Sequence, residues 1–162
     1  HRESGPKKMK FSKDGKFAYL IYELNNTIQV YRYDGSGKNP VFELLQTEST
    51  LASHDDETHD ATSGLCMSPD DKYVFCSTAG EDMYKRDEQT GLLEKQCILP
   101  ISGNYPKDLA VFPDGKHLAV VNHESNSITT FAIDYEKKLL TMKGKPMKVE
   151  TPNSIIFSKC QE

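Results

Sequence analysis

The chain has few cysteines, no long apolar run and no surplus of basic charge, and each shortage narrows what it can be. Its four cysteines, Cys66, Cys76, Cys97 and Cys160, are scattered without the close pairs of a metal site. Cys76 falls inside an apolar strand pattern, so reduced structural thiols are expected rather than a disulfide framework. No apolar stretch approaches the roughly 18 residues of a membrane span, and no charged-then-apolar leader marks a signal peptide. No membrane partner is therefore expected, and the cytoplasm is the expected compartment. A net charge of −4 with pI near 5.8 argues against a nucleic-acid partner, which would want a basic stripe. Helical spacing is also missing, and that turns attention to what recurs instead.

The stretch Phe11-Ser12-Lys13-Asp14-Gly15-Lys16-Phe17-Ala18-Tyr19-Leu20-Ile21-Tyr22 returns twice, from Met67 to Cys76 and from Val111 to Val121. A fourth copy opens at Ile156-Phe157-Ser158-Lys159. The equivalent lysines Lys16, Lys72 and Lys116 stand 56 and 44 positions apart, a period shared by propeller blades and two-helix arrays. Each copy reads as a hairpin: a short apolar strand, a polar turn with Asp, and Gly where φ > 0 is wanted, then a run of β-branched and aromatic residues. From Phe17 to Tyr22 both alternating sets are apolar, so this strand is buried on both faces, as a blade between neighbouring blades would be.

The expected fold is therefore an all-β propeller, with three four-stranded blades over residues 5–50, 63–100 and 105–148. In the first blade the strands are expected at Lys7 to Phe11, Lys16 to Tyr22, Thr27 to Tyr33 and Val41 to Thr47. A closing strand is expected over residues 154–160. Three blades and a strand do not close a ring of 4–8 blades, and an unpaired apolar edge invites pairing. The expected partner is a missing N-terminal half or a second copy of the chain.

Gly5-Pro6-Lys7-Lys8 before the first hairpin, Tyr22-Glu23-Leu24-Asn25-Asn26-Thr27 after it, and Tyr105-Pro106-Lys107-Asp108-Leu109-Ala110 with Val121-Asn122-His123 in the third copy carry a resemblance. In this order they resemble the seven-bladed propeller lactonases, a family that includes propeller-type 6-phosphogluconolactonases and fungal carboxymuconate cyclases. The resemblance implies that nearly the whole chain is the C-terminal half of a seven-bladed ring. It also implies a lactonase activity on a small anionic sugar lactone, with a lactonising isomerase or a non-catalytic propeller binding a carbohydrate or protein as alternatives. Three positions depart from the family pattern: Lys7-Lys8 replaces Arg-His, Gly64 replaces a Glu, and Thr78-Ala79-Gly80 replaces Asn-Arg-Gly.

Up-and-down topology sends the segments entering each innermost strand and the turns between second and third strands to one face. That face surrounds the channel mouth, the concave place for a ligand. Lys8 and Lys107 there suit a carboxylate or phosphate, and Glu23 suits a general base toward water. Asn122 and His123 suit donors to a carbonyl becoming an oxyanion. The expected catalytic residues are thus Glu23, Lys107 and His123, with Lys8, Asp108 and Asn122 binding the lactone or sugar acid. The acidic insertion Ser53-His54-Asp55-Asp56-Glu57-Thr58-His59-Asp60 matches neither a zinc helix motif nor a calcium loop. It is expected as a solvated lid, and no metal or cofactor is expected.

The second copy is short. Lys16 to Tyr31 and Lys116 to Phe131 each span fifteen positions, while Lys72 to Tyr84 spans twelve. Three residues lost from a period-2 strand would invert its faces. The expectation is that the chain as written skips about three loop residues between Asp82 and Met83; the alternative is a true deletion absorbed by a tighter turn at Gly80.

Overall fold

A computed structural model describes residues 4–51, 61–78, 80–100 and 103–158. All regular structure in them is strand. The first sheet holds β1 (Pro6–Phe11), β2 (Phe17–Tyr22), β3 (Thr27–Asp34) and β4 (Val41–Ser49). The second holds β5 (Gly64–Met67), β6 (Tyr73–Ser77), β7 (Gly80–Arg86) and β8 (Leu93–Pro100). The third holds β9 (Pro106–Val111), β10 (His117–Asn122), β11 (Ser127–Asp134) and β12 (Leu139–Lys148). Within each sheet the strands pair antiparallel in chain order, the up-and-down blade expected from the repeats. Lys16 belongs to the turn rather than to β2, because its N–H donates to the Asp14 carboxylate.

The hairpin turns share one construction. Gly15 N–H donates to Ser12 O, Asp71 N–H to Ser68 O and Gly115 N–H to Phe112 O, each at 2.9 Å. Gly15, Asp71 and Gly115 all adopt φ between 67° and 69°, the left-handed conformation that Gly and Asp tolerate best. The Ser12 and Ser68 hydroxyls receive the N–H of Phe17 and Tyr73, closing the turn from inside.

Two apolar clusters lie between blades. Phe17, Tyr19, Ile21, Ile28 and Val30 of the first blade meet Leu65, Val74, Cys76, Tyr84 and Leu93 of the second. Cys66, Phe75 and Met83 on the second blade's other side meet Leu109, Val111, Leu118, Val120, Phe131 and Leu140 of the third. Each such side chain contributes roughly 1.5–3 kcal/mol by leaving water. Arg86 fastens the first joint: its Nε donates to Tyr19 Oη at 2.7 Å, and its Nη1 stands 3.1 Å from Asp71 Oδ2. Burial raises the Tyr19 phenol to about 12 despite that arginine.

The first blade's other face is open. Phe11, Tyr33 and Phe42 pack ring to ring there, with centroids 5.0 to 6.4 Å apart, and Phe11, Phe42 and Leu44 are exposed. Counted from the turn lysines and the strand pairing, Met9, Phe11 and Phe42 correspond to Leu65, Met67 and Leu93 and to Leu109, Val111 and Leu140. Those residues face the preceding blade.

β7 runs unbroken through Asp82 and Met83, whose partners are the consecutive residues Cys76 and Phe75. The expectation of skipped residues there is thereby corrected, and the shortfall is taken by the turn. After the pair Ser77–Glu81, Thr78 N–H donates directly to Gly80 O. Tyr22 and Thr27, by contrast, pair across four residues. Strand faces keep their phase, since Tyr84 pairs with Val74 just as Tyr31 pairs with Ala18. Residues 154–158 pair with no described strand, and residues 159 and 160 of the expected closing strand lie outside the described residues. This segment sits against the third blade, with the Phe157 ring 4.1 Å from that of Phe112. Cys66, Cys76 and Cys97 are free thiols; Cys160 lies outside the described residues.

Candidate functional site at the channel mouth

Backbone hydrogen bonds gather the loops on the expected face. Glu23 N–H donates to Gly5 O, and His123 N–H to Tyr105 O, so in both blades the turn after the second strand is tied to the segment entering the first. Thr151 N–H donates to Asn126 Oδ1, which brings residues 150–153 alongside. Asn26 Oδ1 accepts the N–H and hydroxyl of Thr62, and Thr62 also meets Thr50 and Thr78 through their hydroxyls. Thr50 and Thr62 thereby hold together the two ends of the acidic insertion; residues 52–60 themselves lie outside the described residues.

The nominated residues fall into three groups. Glu23 is engaged by Lys7, whose Nζ stands 2.9 Å and 3.0 Å from its two carboxylate oxygens. Around the third blade, Lys107 Nζ donates to Asn153 Oδ1 at 3.3 Å and lies 5.4 Å from the centre of the Tyr105 ring. The His123 ring meets Tyr105 edge-on at 6.4 Å, and its Nδ1 lies 3.3 Å from Pro152 O. A carbonyl only accepts, so Nδ1 carries the proton and the neutral ring keeps its lone pair at Nε2. Between these groups, Lys8 Nζ reaches Asp108 Oδ1 at 2.5 Å, and Asp108 Oδ2 accepts the N–H of Ile155 at 3.3 Å.

Asn122 is nearby but covered. Its side chain is fully buried, its Nδ2 donates to Thr129 Oγ1 at 3.0 Å, and its Oδ1 makes no hydrogen bond among the described residues. A Cβ on Gly103 would come within 2.4 Å of the Asn122 side chain, so that glycine lies directly over it. Gly64 also has a packing reason: a Cβ there would fall 2.7 Å from Ser77 Oγ and 3.1 Å from the Asp108 backbone. A Glu at this position would have no room beside β9.

A cleft of about 280 Å³ runs along the innermost strands, lined by Lys8, Lys10, Phe11, Cys66, Leu109 and Ile155 among others. Of the six nominated residues it takes in only Lys8. No group of three or more His, Cys, Asp or Glu among the described residues could hold a metal ion. No helix among them is long and apolar enough to cross a membrane.

Sequence reasoning passed over Lys7, Tyr105 and Asn153. The signal that could have found them is a second repeat phase, Gly5-Pro6-Lys7, Tyr105-Pro106-Lys107 and Thr151-Pro152-Asn153, whose first members all have positive φ. It is weak in sequence because only the proline is shared.

Comparison with known proteins agrees with this architecture. A family model described as lactonase, 7-bladed beta-propeller, matches residues 1–157. A protein named 6-phosphogluconolactonase from Formosa agariphila is 27% identical over 157 residues, covering 94% of this chain and 43% of its own length. A crystal structure from Bacteroides fragilis, named provisionally as a 6-phosphogluconolactonase, superposes with TM-score 0.84 at 31% identity, covering 96% of this chain and 42% of that one. The periplasmic gluconolactonase of Pseudomonas aeruginosa shares the fold with TM-score 0.84 at 24% identity, over 93% of this chain and 41% of that one. The chain thus spans less than half the length of these relatives.

Proposed function

Because this chain belongs to the seven-bladed β-propeller lactonase family, we propose that it supplies the C-terminal half of a hydrolase that opens a small anionic sugar lactone. The names of the Formosa and Bacteroides relatives make 6-phosphogluconolactone the substrate to test first. The observation that carries the reading is His123, whose Nδ1–H is committed to Pro152 O on the same face as Lys107.

In this reading Nε2 of His123 removes a proton from water as the water oxygen attacks the lactone carbonyl carbon. The carbonyl oxygen takes the negative charge, opposed by the Lys107 ammonium. The bond from that carbon to the ring oxygen then breaks, and the ring oxygen takes the proton from Nε2, leaving a hydroxy acid. Lys8, kept in place by Asp108, offers its remaining ammonium N–H groups to the substrate's phosphate or carboxylate. Asn122 supports the end of β10 from beneath. Glu23, neutralised by Lys7, is the reserve base.

The open aromatic face of the first blade supports a further blade as partner, supplied by an N-terminal half or a second copy, since its counterparts in the other two blades are covered in that way. The free thiols of Cys66, Cys76 and Cys97 fit a cytoplasmic placement. A propeller that only binds a carbohydrate or protein is favoured by one feature, the Lys7–Glu23 pair, which takes the one carboxylate nominated as base.

The test is acid release from 6-phosphogluconolactone and glucono-δ-lactone by the full-length protein, followed by pH-stat. We expect catalysis above spontaneous hydrolysis, faster with the phosphorylated lactone. A rate equal to the uncatalysed one on both would overturn the lactonase reading.

A further inference from the structure

We infer that Tyr105 is a substrate-stacking residue, presenting its ring as the floor on which the lactone ring lies; this rests on the lactonase reading above. The residue before the proline takes a left-handed corner in three of the repeats, ahead of β1, ahead of β9 and ahead of residues 152–158. Gly5 has φ 64°, Tyr105 55° and Thr151 38°. The first repeat meets the corner with glycine, which adopts this conformation without steric cost, whereas a tyrosine there is strained. Strain of this kind persists where the surroundings impose it, and it gathers at ligand sites.

The surroundings do impose it. His123 N–H holds Tyr105 O at 3.0 Å, and Asn104 N–H is held by Ser125 Oγ at 2.6 Å. The side chain is 39% exposed, its ring is in contact with Lys107 and His123, and its hydroxyl makes no hydrogen bond among the described residues. A large aromatic ring is thus kept in a costly conformation, half in solvent, between the Lys107 ammonium at 5.4 Å from its centre and the His123 ring at 6.4 Å.

That grouping fits one ligand chemistry. A six-membered sugar lactone has one face of C–H groups, which packs on an aromatic face, and a carbonyl at its rim. Placed on Tyr105, the rim carbonyl falls toward Lys107 and His123 while an anionic arm extends toward the channel. Thr151 meets the same corner with a small side chain, and its own N–H is spent on Asn126.

The experiment compares the full-length protein with Tyr105→Gly and Tyr105→Phe. Binding of gluconolactam, a ring analogue that hydrolyses slowly, is measured by NMR titration; KM and kcat are measured with 6-phosphogluconolactone; the urea midpoint is measured for each protein. Tyr105→Gly should weaken gluconolactam binding about tenfold and raise KM similarly, while its urea midpoint does not fall; Tyr105→Phe should match the parent in all three. Unchanged lactam binding in Tyr105→Gly, or no lactam binding by the parent, would overturn the inference. A midpoint lowered by more than about 0.5 M would overturn it too, by making Tyr105 a packing residue. Loss of lactam binding in Tyr105→Gly with no hydrolysis by the parent would uphold Tyr105 and refute the lactonase reading instead. Catalysis with unaltered KM in the variant would do the reverse.

Discussion

Lys8 and Asp108 form an ion pair with N–O separation 2.5 Å, joining the first blade to the third over 100 positions of sequence. Their side chains are 30% and 6% exposed, so the carboxylate is the more enclosed partner. Asp108 also receives N–H groups from Leu109 and Ile155. Lys8→Met should cost about 1–3 kcal/mol, because it strands a buried carboxylate, and Lys8→Met with Asp108→Asn should recover part of that loss. Urea unfolding of the single and double variants checks this. Additive losses with no coupling would show that the pair does not join the blades.

The two candidate bases are separable by their partners. Glu23 faces Lys7, and His123 has its Nδ1–H on Pro152 O. Loss of the working base typically costs about 10²-fold or more in rate. His123→Ala should therefore lower kcat on 6-phosphogluconolactone by about 10²-fold, and Glu23→Gln should lower it much less. The reverse order would transfer the role to Glu23, as the residue types alone had suggested.

The blades were legible in the sequence because their determinants are local. The turn aspartate, the lysine two positions after it and the apolar strand that follows recur within a dozen residues, so one copy teaches the next. The mouth was legible only as a face. Topology assigned Glu23, Lys107 and His123 to one end, but side-chain partners come from other loops. Lys7 taking Glu23, and Gly103 lying over Asn122, depend on packing that no spacing reveals. Tyr105 was hidden for another reason: its significance lies in a backbone angle, and a tyrosine before proline announces none.

The shortened second hairpin leaves one residue at odds with the core, and that conflict yields the last prediction. Glu81 pairs with Ser77 as Ile28 pairs with Ile21 and Ile128 with Val121, so a carboxylate stands where both sister blades place isoleucine. Its side chain is fully buried and neither oxygen has a hydrogen-bond partner among the described residues. Burial, reinforced by the adjacent Asp82, pushes its pKa up to about 8. A folded value above the unfolded one means that the folded state holds this proton longer. Stability is therefore greatest below about pH 4.5 and falls as pH rises toward 8, with a slope approaching 1.4 kcal/mol per pH unit. Glu81→Ile should flatten this component and stabilise the protein more at pH 8 than at pH 5. Inserting Thr-Ile-Gln between Asp82 and Met83 should do the same by another route. It would return an isoleucine to the buried position and move Glu81 and Asp82 into the turn, where Asn25 and Asn26 stand in the first blade. Asp82 would then occupy the left-handed corner that Asn26 and Asn126 take at φ 48° and 50°, a conformation Asp accepts. Urea midpoints at the two pH values decide it: an insertion that lowers stability at pH 8 would show that the short turn is the preferred packing and that Glu81 is stabilised where it lies.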